Sequence, residues 1–202
     1  MPPRLVLASA SPRRLSLLRQ AGYQPIVDPA DVDETPDPAR SPTENAARFA
    51  REKALVVAAR RPGDLVLGAD TVVVIGRELL GKPKDEADAR RMLSRLSGRA
   101  HHVVTCVFFA PTETWPNTQL QVTTSVVFRE LAPAEIDDYL LSREWTDKAG
   151  GYAVQGLAAA FALAVMGSYT NVVGLPLCEV IEELSLRGLP PRLSAGVLEG
   201  HE

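Results

Sequence analysis

The sequence predicts a single α/β domain, and three observations carry that prediction. A chain of 202 residues is long enough for one well-filled core. It opens on a strand, a polar turn and a helix. Residues 65–75 are apolar on both alternating faces, as expected of a strand covered on both sides. Composition agrees: 46% hydrophobic and 23% charged residues belong to a packed chain rather than a disordered one.

The elements follow in order. Residues 5–8 form a short apolar strand, and Ser11 and Pro12 supply the cap and first position of a helix over 13–21 that Gly22 stops. A second strand is expected over 24–27, and the proline- and acid-rich stretch 28–38 is a loop. Ser41-Pro42-Thr43-Glu44 has the form of a capping box, so a long helix runs from residue 42 to about residue 60 with Ala46, Phe49, Ala50 and Val57 facing inward.

Asp70 interrupts the middle of the central strand. From residue 85 a further helix places Ala89, Met92, Leu93 and Leu96 on one face, with Gly98 as its stop. Two long antiparallel strands are expected over 102–109 and 119–129. A short helix over 133–141, a strand over 161–166 and a closing helix over 177–186 complete the domain, 1–189. Residues 190–202 are expected to form a loosely held tail.

The net charge of -3, without a basic block, gives little support to a surface for polymeric nucleic acid, so any nucleotide bound is small. Cys106 and Cys178 are too few and too far apart for a disulfide framework, and His101, His102 and His201 do not complete a zinc site. The apolar start is too short for a signal peptide, and no apolar run approaches the roughly 20 residues that span a bilayer. The expected address is the cytoplasm.

Several residues carry chemistry. Asp70 sits in an apolar strand, where a carboxylate loses hydration and needs a cation or donors beside it, although a buried strand acid is sometimes only structural. Lys53 falls on the inward stripe of its helix, a position from which lysines usually snorkel outward. Lys82 lies between Gly81 and Pro83, which restrict its direction, although loop lysines are mostly solvated, as Lys84 is expected to be. Ser9, Ser11, Arg13 and Arg14 gather hydroxyls, helix amides and guanidinium groups at one helix N-terminus, suited to phosphate oxygens or equally to an ordinary capped helix. Asp33 and Glu34, in the acidic loop, are candidate metal ligands or solvated turn acids.

Together these pieces resemble the Maf family of nucleotide pyrophosphatases. The resemblance rests on Leu7-Ala8-Ser9-Ala10-Ser11-Pro12-Arg13-Arg14, Val32-Asp33-Glu34, Lys53-Ala54, Gly68-Ala69-Asp70-Thr71-Val72-Val73, Leu80-Gly81-Lys82-Pro83, Asp147-Lys148-Ala149-Gly150-Gly151-Tyr152-Ala153-Val154-Gln155-Gly156 and Gly167-Ser168-Tyr169-Thr170-Asn171-Val172-Val173-Gly174-Leu175-Pro176. Any one of these is weak, but the set runs in order across nearly the whole chain.

The resemblance implies an inosine-triphosphatase-like α/β fold, with a curved mixed sheet flanked by helices, a nucleotide cleft between two lobes, and a homodimer. It implies hydrolysis of a nucleoside triphosphate to the monophosphate and pyrophosphate with Mg²⁺ or Mn²⁺. Asp70 would act on the water as base or through the metal, the two roles staying open, and Glu34 would help hold the cation. Lys53, Lys82 and Arg14 would hold the phosphates, with Ser9 adding a hydrogen bond. Arg13, Thr71 and Gln155 resemble the dTTP/UTP class and differ from the class acting on 7-methyl-GTP. A neutral amide at Gln155 suits a pyrimidine edge. A nucleotide-sensing regulator of septum formation without turnover is the rival expectation.

Overall fold

A computed structural model gives the fold and describes residues 3–191. Its centre is one seven-stranded mixed sheet in the order β2-β1-β3-β5-β6-β7, with β4 paired to β3 off that path. The strands are β1 (Leu5–Leu7), β2 (Ile26–Val27), β3 (Leu65–Ile75), β4 (Glu78–Leu80), β5 (Ala100–Phe109), β6 (Thr118–Phe128) and β7 (Ala162–Met166). The helices are α1 (Pro12–Gln20), α2 (Pro42–Arg60), α3 (Glu86–Leu96), α4 (Pro133–Leu141), α5 (Tyr169–Val173) and α6 (Leu177–Leu186). β1 runs parallel to both β2 and β3, whereas β3, β5, β6 and β7 form an antiparallel series.

The two faces of the sheet have separate cores, as strand alternation requires. Val6, Val66, Val72, Val104, Cys106 and Phe108 turn toward α2 and pack on Ala46, Ala50, Ala54 and Val57. Leu5, Leu7, Leu65, Leu67, Val73 and Phe109 turn the other way, toward Leu17 and Leu18 of α1, Leu93 and Leu96 of α3 and Leu184 of α6. Because β3 contributes to both clusters, its residues 65–69 are all buried.

Local chemistry starts the helices where the sequence predicts. Ser41 accepts from the Glu44 amide, and the Glu44 carboxylate accepts from the Ser41 amide, closing the capping box at α2. Such a cap contributes about 1 kcal/mol and fixes the register of the long helix. Ser11 and Asp85 cap α1 and α3.

The structure adds elements that periodicity does not reveal. β4 is three residues long and returns along β3 after a two-residue turn. α5 and the short 3₁₀ turns Ala149–Gly151 and Leu157–Phe161 fall below the length at which periodicity is readable. The tail expected over 190–202 lies outside the described residues from 192 onward. Among the described residues no helix is long and apolar enough to cross a membrane.

One buried titratable group sets a pH dependence. His101 on β5 is 1% exposed, edge-on to Phe128 and Tyr152, and shares a 2.8 Å hydrogen bond between Nε2 and the Tyr152 hydroxyl. Its Nδ1 closes no hydrogen bond. Burial pushes its pKa down to about 4 from the ordinary 6.5, against a smaller upward pull from the Arg99 backbone. The unfolded chain therefore binds the proton more readily between these values, and stability is lost as pH falls through that window. The loss reaches about 3 kcal/mol, because each pH unit of the window costs roughly 1.4 kcal/mol. Urea unfolding between pH 4 and 7 checks this: the His101→Gln variant is expected to lose that part of the slope, and parallel curves for the two proteins would refute the assignment.

Candidate active site

Asp70 lies at a gap in the sheet. On one side β3 is paired with β5 without interruption from Leu67 to Val74. On its other side β1 covers only Leu65, Val66 and Leu67, and β4 covers only Val73, Val74 and Ile75. The edge of β3 between them carries no strand. The Leu65 amide donates to Arg4 and the Leu67 carbonyl accepts from Ala8, so odd-numbered residues of β3 direct their backbone groups to that edge. Ala69 and Thr71 therefore present N–H and C=O groups into the gap, without a backbone partner among the described residues.

Side chains from both faces meet here. On the α2 face, Lys53 Nζ donates to Asp70 Oδ1 at 2.8 Å and stands 3.0 Å from Glu34 Oε1. The Lys53 side chain is 9% exposed, that of Asp70 14% and that of Glu34 46%. The lysine is thus a buried bridge between an acid on the strand and an acid on the loop, and the cation expected beside Asp70 is Lys53.

The close approach of α2 makes this possible. Gly68, two residues before Asp70 on the same face, lets the helix backbone come so near that a Cβ there would lie 2.3 Å from the Ala50 carbonyl oxygen. No other residue type fits at that separation.

On the opposite face, Arg14 is the organiser. Its Nε donates to the Gly174 carbonyl at 2.9 Å, Nη1 to Ser9 Oγ at 3.1 Å and Nη2 to Thr71 Oγ1 at 3.1 Å. A guanidinium has five N–H donors, so two remain for a ligand. Burial lowers its pKa from the ordinary arginine value, while Asp70 and Glu34 pull it up from across the gap. Arg13 Nε donates to the Val173 carbonyl at 3.2 Å. Thr71, expected to bear on selectivity, thus faces Arg14 and Thr105, not Asp70.

The acceptors for both arginines come from the α5 segment, whose role is not visible in the sequence. Asn171 is fully buried and its Nδ2 donates to the Val103 carbonyl and to Thr124 Oγ1, which pins α5 to β5 and β6. Gly174 follows with φ 127°, a left-handed value that favours glycine, and turns its carbonyl toward Arg14.

The expected site residues divide by what holds them. Direct contacts form two groups on the two faces of β3, Ser9–Arg14–Thr71 and Glu34–Lys53–Asp70. Lys82 is exposed and leaves β4 two residues beyond the Val73–Leu80 pair, at the far end of the gap. Gln155 is exposed too, in a loop that the Glu144 carboxylate closes by accepting from the Leu157 amide, and no contact joins it to Asp70. Asp33 turns inward on its own loop, accepting from the amide and hydroxyl of Thr35, which lowers its pKa. An open depression of about 470 Å³ lies elsewhere along α2, lined by Arg40, Arg48, Arg51 and Gln119 among others.

Asp70 and Glu34 offer hard oxygen donors, and among the described residues no third His, Cys, Asp or Glu completes a cluster around them. Two such carboxylates would suit a hard divalent cation such as Mg²⁺ or Mn²⁺.

The fold and the site define a mixed-sheet α/β protein with an acid–lysine centre at an open strand edge and paired arginines across it. The chain belongs to the Maf family: the model of Maf-like proteins matches residues 4–186. It is 54% identical over 190 residues to the dTTP/UTP pyrophosphatase of Caulobacter vibrioides, covering 94% of this chain and 98% of that one. The dTTP/UTP pyrophosphatase of Paramagnetospirillum magneticum is 52% identical over 190 residues, 93% of this chain and 98% of that one. That of Geobacter sulfurreducens is 50% identical over 181 residues, 90% and 95% of the two chains. Among solved structures, the Staphylococcus aureus Ham1 protein is similar with a TM-score of 0.44 and 17% identity, over 62% of this chain and 71% of that chain.

Proposed function

We propose that the protein hydrolyses dTTP and UTP to the monophosphate and pyrophosphate. The observation that carries this reading is the Asp70–Lys53–Glu34 chain beside Arg14 at the sheet gap; the names of relatives at about half identity supply the substrate. Cleaving between the α- and β-phosphates requires a positioned water and neutralisation of charge on the departing pyrophosphate.

Asp70 orients or activates the attacking water, as base or as metal ligand, and Lys53 fixes the direction of that carboxylate. Arg14 turns its remaining donors to the phosphates, Lys82 meets them from the β4 end, and Ser9 Oγ, already accepting from Arg14 and the Ser11 amide, has its proton to donate. Arg13, Thr71 and Gln155 shape the choice of base, Thr71 through its hold on Arg14. A divalent cation held by Asp70 and Glu34 would neutralise phosphate charge and lower the pKa of bound water. The same reading includes a cytoplasmic homodimer, with residues 1–189 as its folded domain.

A nucleotide panel with separate assays for pyrophosphate and monophosphate tests the proposal. UTP and dTTP are expected to give both products in equal amounts, faster than 7-methyl-GTP. Nucleotide binding without products would instead support a regulator, and faster cleavage of 7-methyl-GTP would overturn the pyrimidine choice.

A further inference from the structure

Beyond the residues given roles above, one cation is held at the gap and left without work. Lys148 is half-buried and forms no salt bridge among the described residues; its ammonium donates only to the Thr146 carbonyl, at 3.0 Å. Its turn holds unusual backbone conformations. Asp147 before it has φ 58°, a left-handed value a non-glycine residue rarely adopts, and Gly150 and Gly151 after it have φ 72° and 71°.

The Gly150 amide donates to the Gly81 carbonyl at 3.0 Å, so this turn is tied to the residue beside Lys82. A Cβ on Gly150 would press on Val73 at 3.1 Å, so the turn also lies flat against β3 just past the gap. Three left-handed positions and a bond to the residue after β4 thus hold the turn of this lysine beside Lys82 on the β4 side, with Arg13 the other cation whose charge reaches it. Both cations, together with burial, lower the Lys148 pKa, while Asp147 and Glu144 oppose them. These two acids form no salt bridge with Lys148, so the like charges repel one another unless an anion joins them.

We propose that Lys148 is a substrate-binding residue that grips the terminal phosphates and the departing pyrophosphate, closing the gap opposite Asp70. The inference rests on the triphosphate reading and assigns the pyrophosphate end of that ligand to the β4 side. Lys148 and Lys82 then meet the same end of the ligand, so loss of Lys148 weakens pyrophosphate selectively.

Calorimetric titration of the full-length protein with magnesium pyrophosphate and, separately, with UMP tests this. In Lys148→Gln, the pyrophosphate Kd is expected to rise about tenfold or more, with UMP affinity within twofold of wild type; Lys148→Arg should recover most of the loss. Unchanged pyrophosphate affinity, or equal weakening of both ligands, overturns the proposal. A second measurement needs no variant: pyrophosphate should shield Lys148 of the wild-type protein from an amine-acetylating reagent while exposed Lys84 stays reactive, and absence of shielding counts against it. Both assays are independent of turnover, so a wild-type protein that binds pyrophosphate through Lys148 but cleaves no nucleotide would sink the enzymatic reading and leave this site standing.

Discussion

Replacing Asp70 with asparagine is expected to lower the turnover of UTP about a thousandfold, with the melting temperature nearly unchanged. The amide has the shape of the carboxylate, and its oxygen can still accept from Lys53, so packing at the gap is preserved. Lys53 also keeps its second acid, since Glu34 Oε1 lies 3.0 Å away. What is lost is the capacity to take a proton from water or to ligate a hard cation, functions worth about two to four orders of magnitude in rate. Steady-state kinetics and a thermal melt on the same preparation check the two halves of this expectation. Turnover within tenfold of wild type would remove Asp70 from the chemistry, whichever role it was given.

The parts of this site legible in the sequence share one property: each is an exception to a local pattern. Asp70 is conspicuous because its neighbours are apolar, and Lys53 because it falls on the stripe of Ala46, Phe49, Ala50 and Val57. A pattern can expose such residues because burial acts on every residue of a strand or helix face alike. The long elements are legible for the same reason, and the capping box at Ser41 marks the start of α2.

The rest depends on chain segments distant in sequence, which no local pattern encodes. The gap exists because β1 and β4 are both too short to cover β3, and β4 itself, three residues long, has no periodicity to read. That Arg14 would donate to Gly174 follows from α5 being pinned to the sheet by Asn171, more than 150 residues further along the chain. Lys148 stands in a motif that carries the family resemblance, but its lack of a salt bridge and its place beside Lys82 emerge only once the turn is seen folded against Val73 and Gly81.

Gly68→Ala is expected to damage stability and turnover together, which distinguishes it from Asp70→Asn. The added carbon would lie 2.3 Å from the Ala50 carbonyl oxygen and 2.8 Å from the Ala54 amide nitrogen. Both are backbone atoms of α2, so no side-chain rotation relieves the contact, and the helix must retreat by on the order of 1 Å to restore ordinary separation. Overpacking of this kind costs about 3 kcal/mol at the upper end of its usual range. Lys53 sits between Ala50 and Ala54 on the displaced turn, so its 2.8 Å bond to Asp70 must lengthen or the side chain must distort to keep it. A displacement of that size at a positioning group lowers turnover about a hundredfold. Urea unfolding and kcat for UTP measure the two effects. If the variant unfolds at a lower urea concentration yet turns over UTP at the wild-type rate, Lys53 does not position Asp70 for chemistry, and the bridge from α2 is only structural.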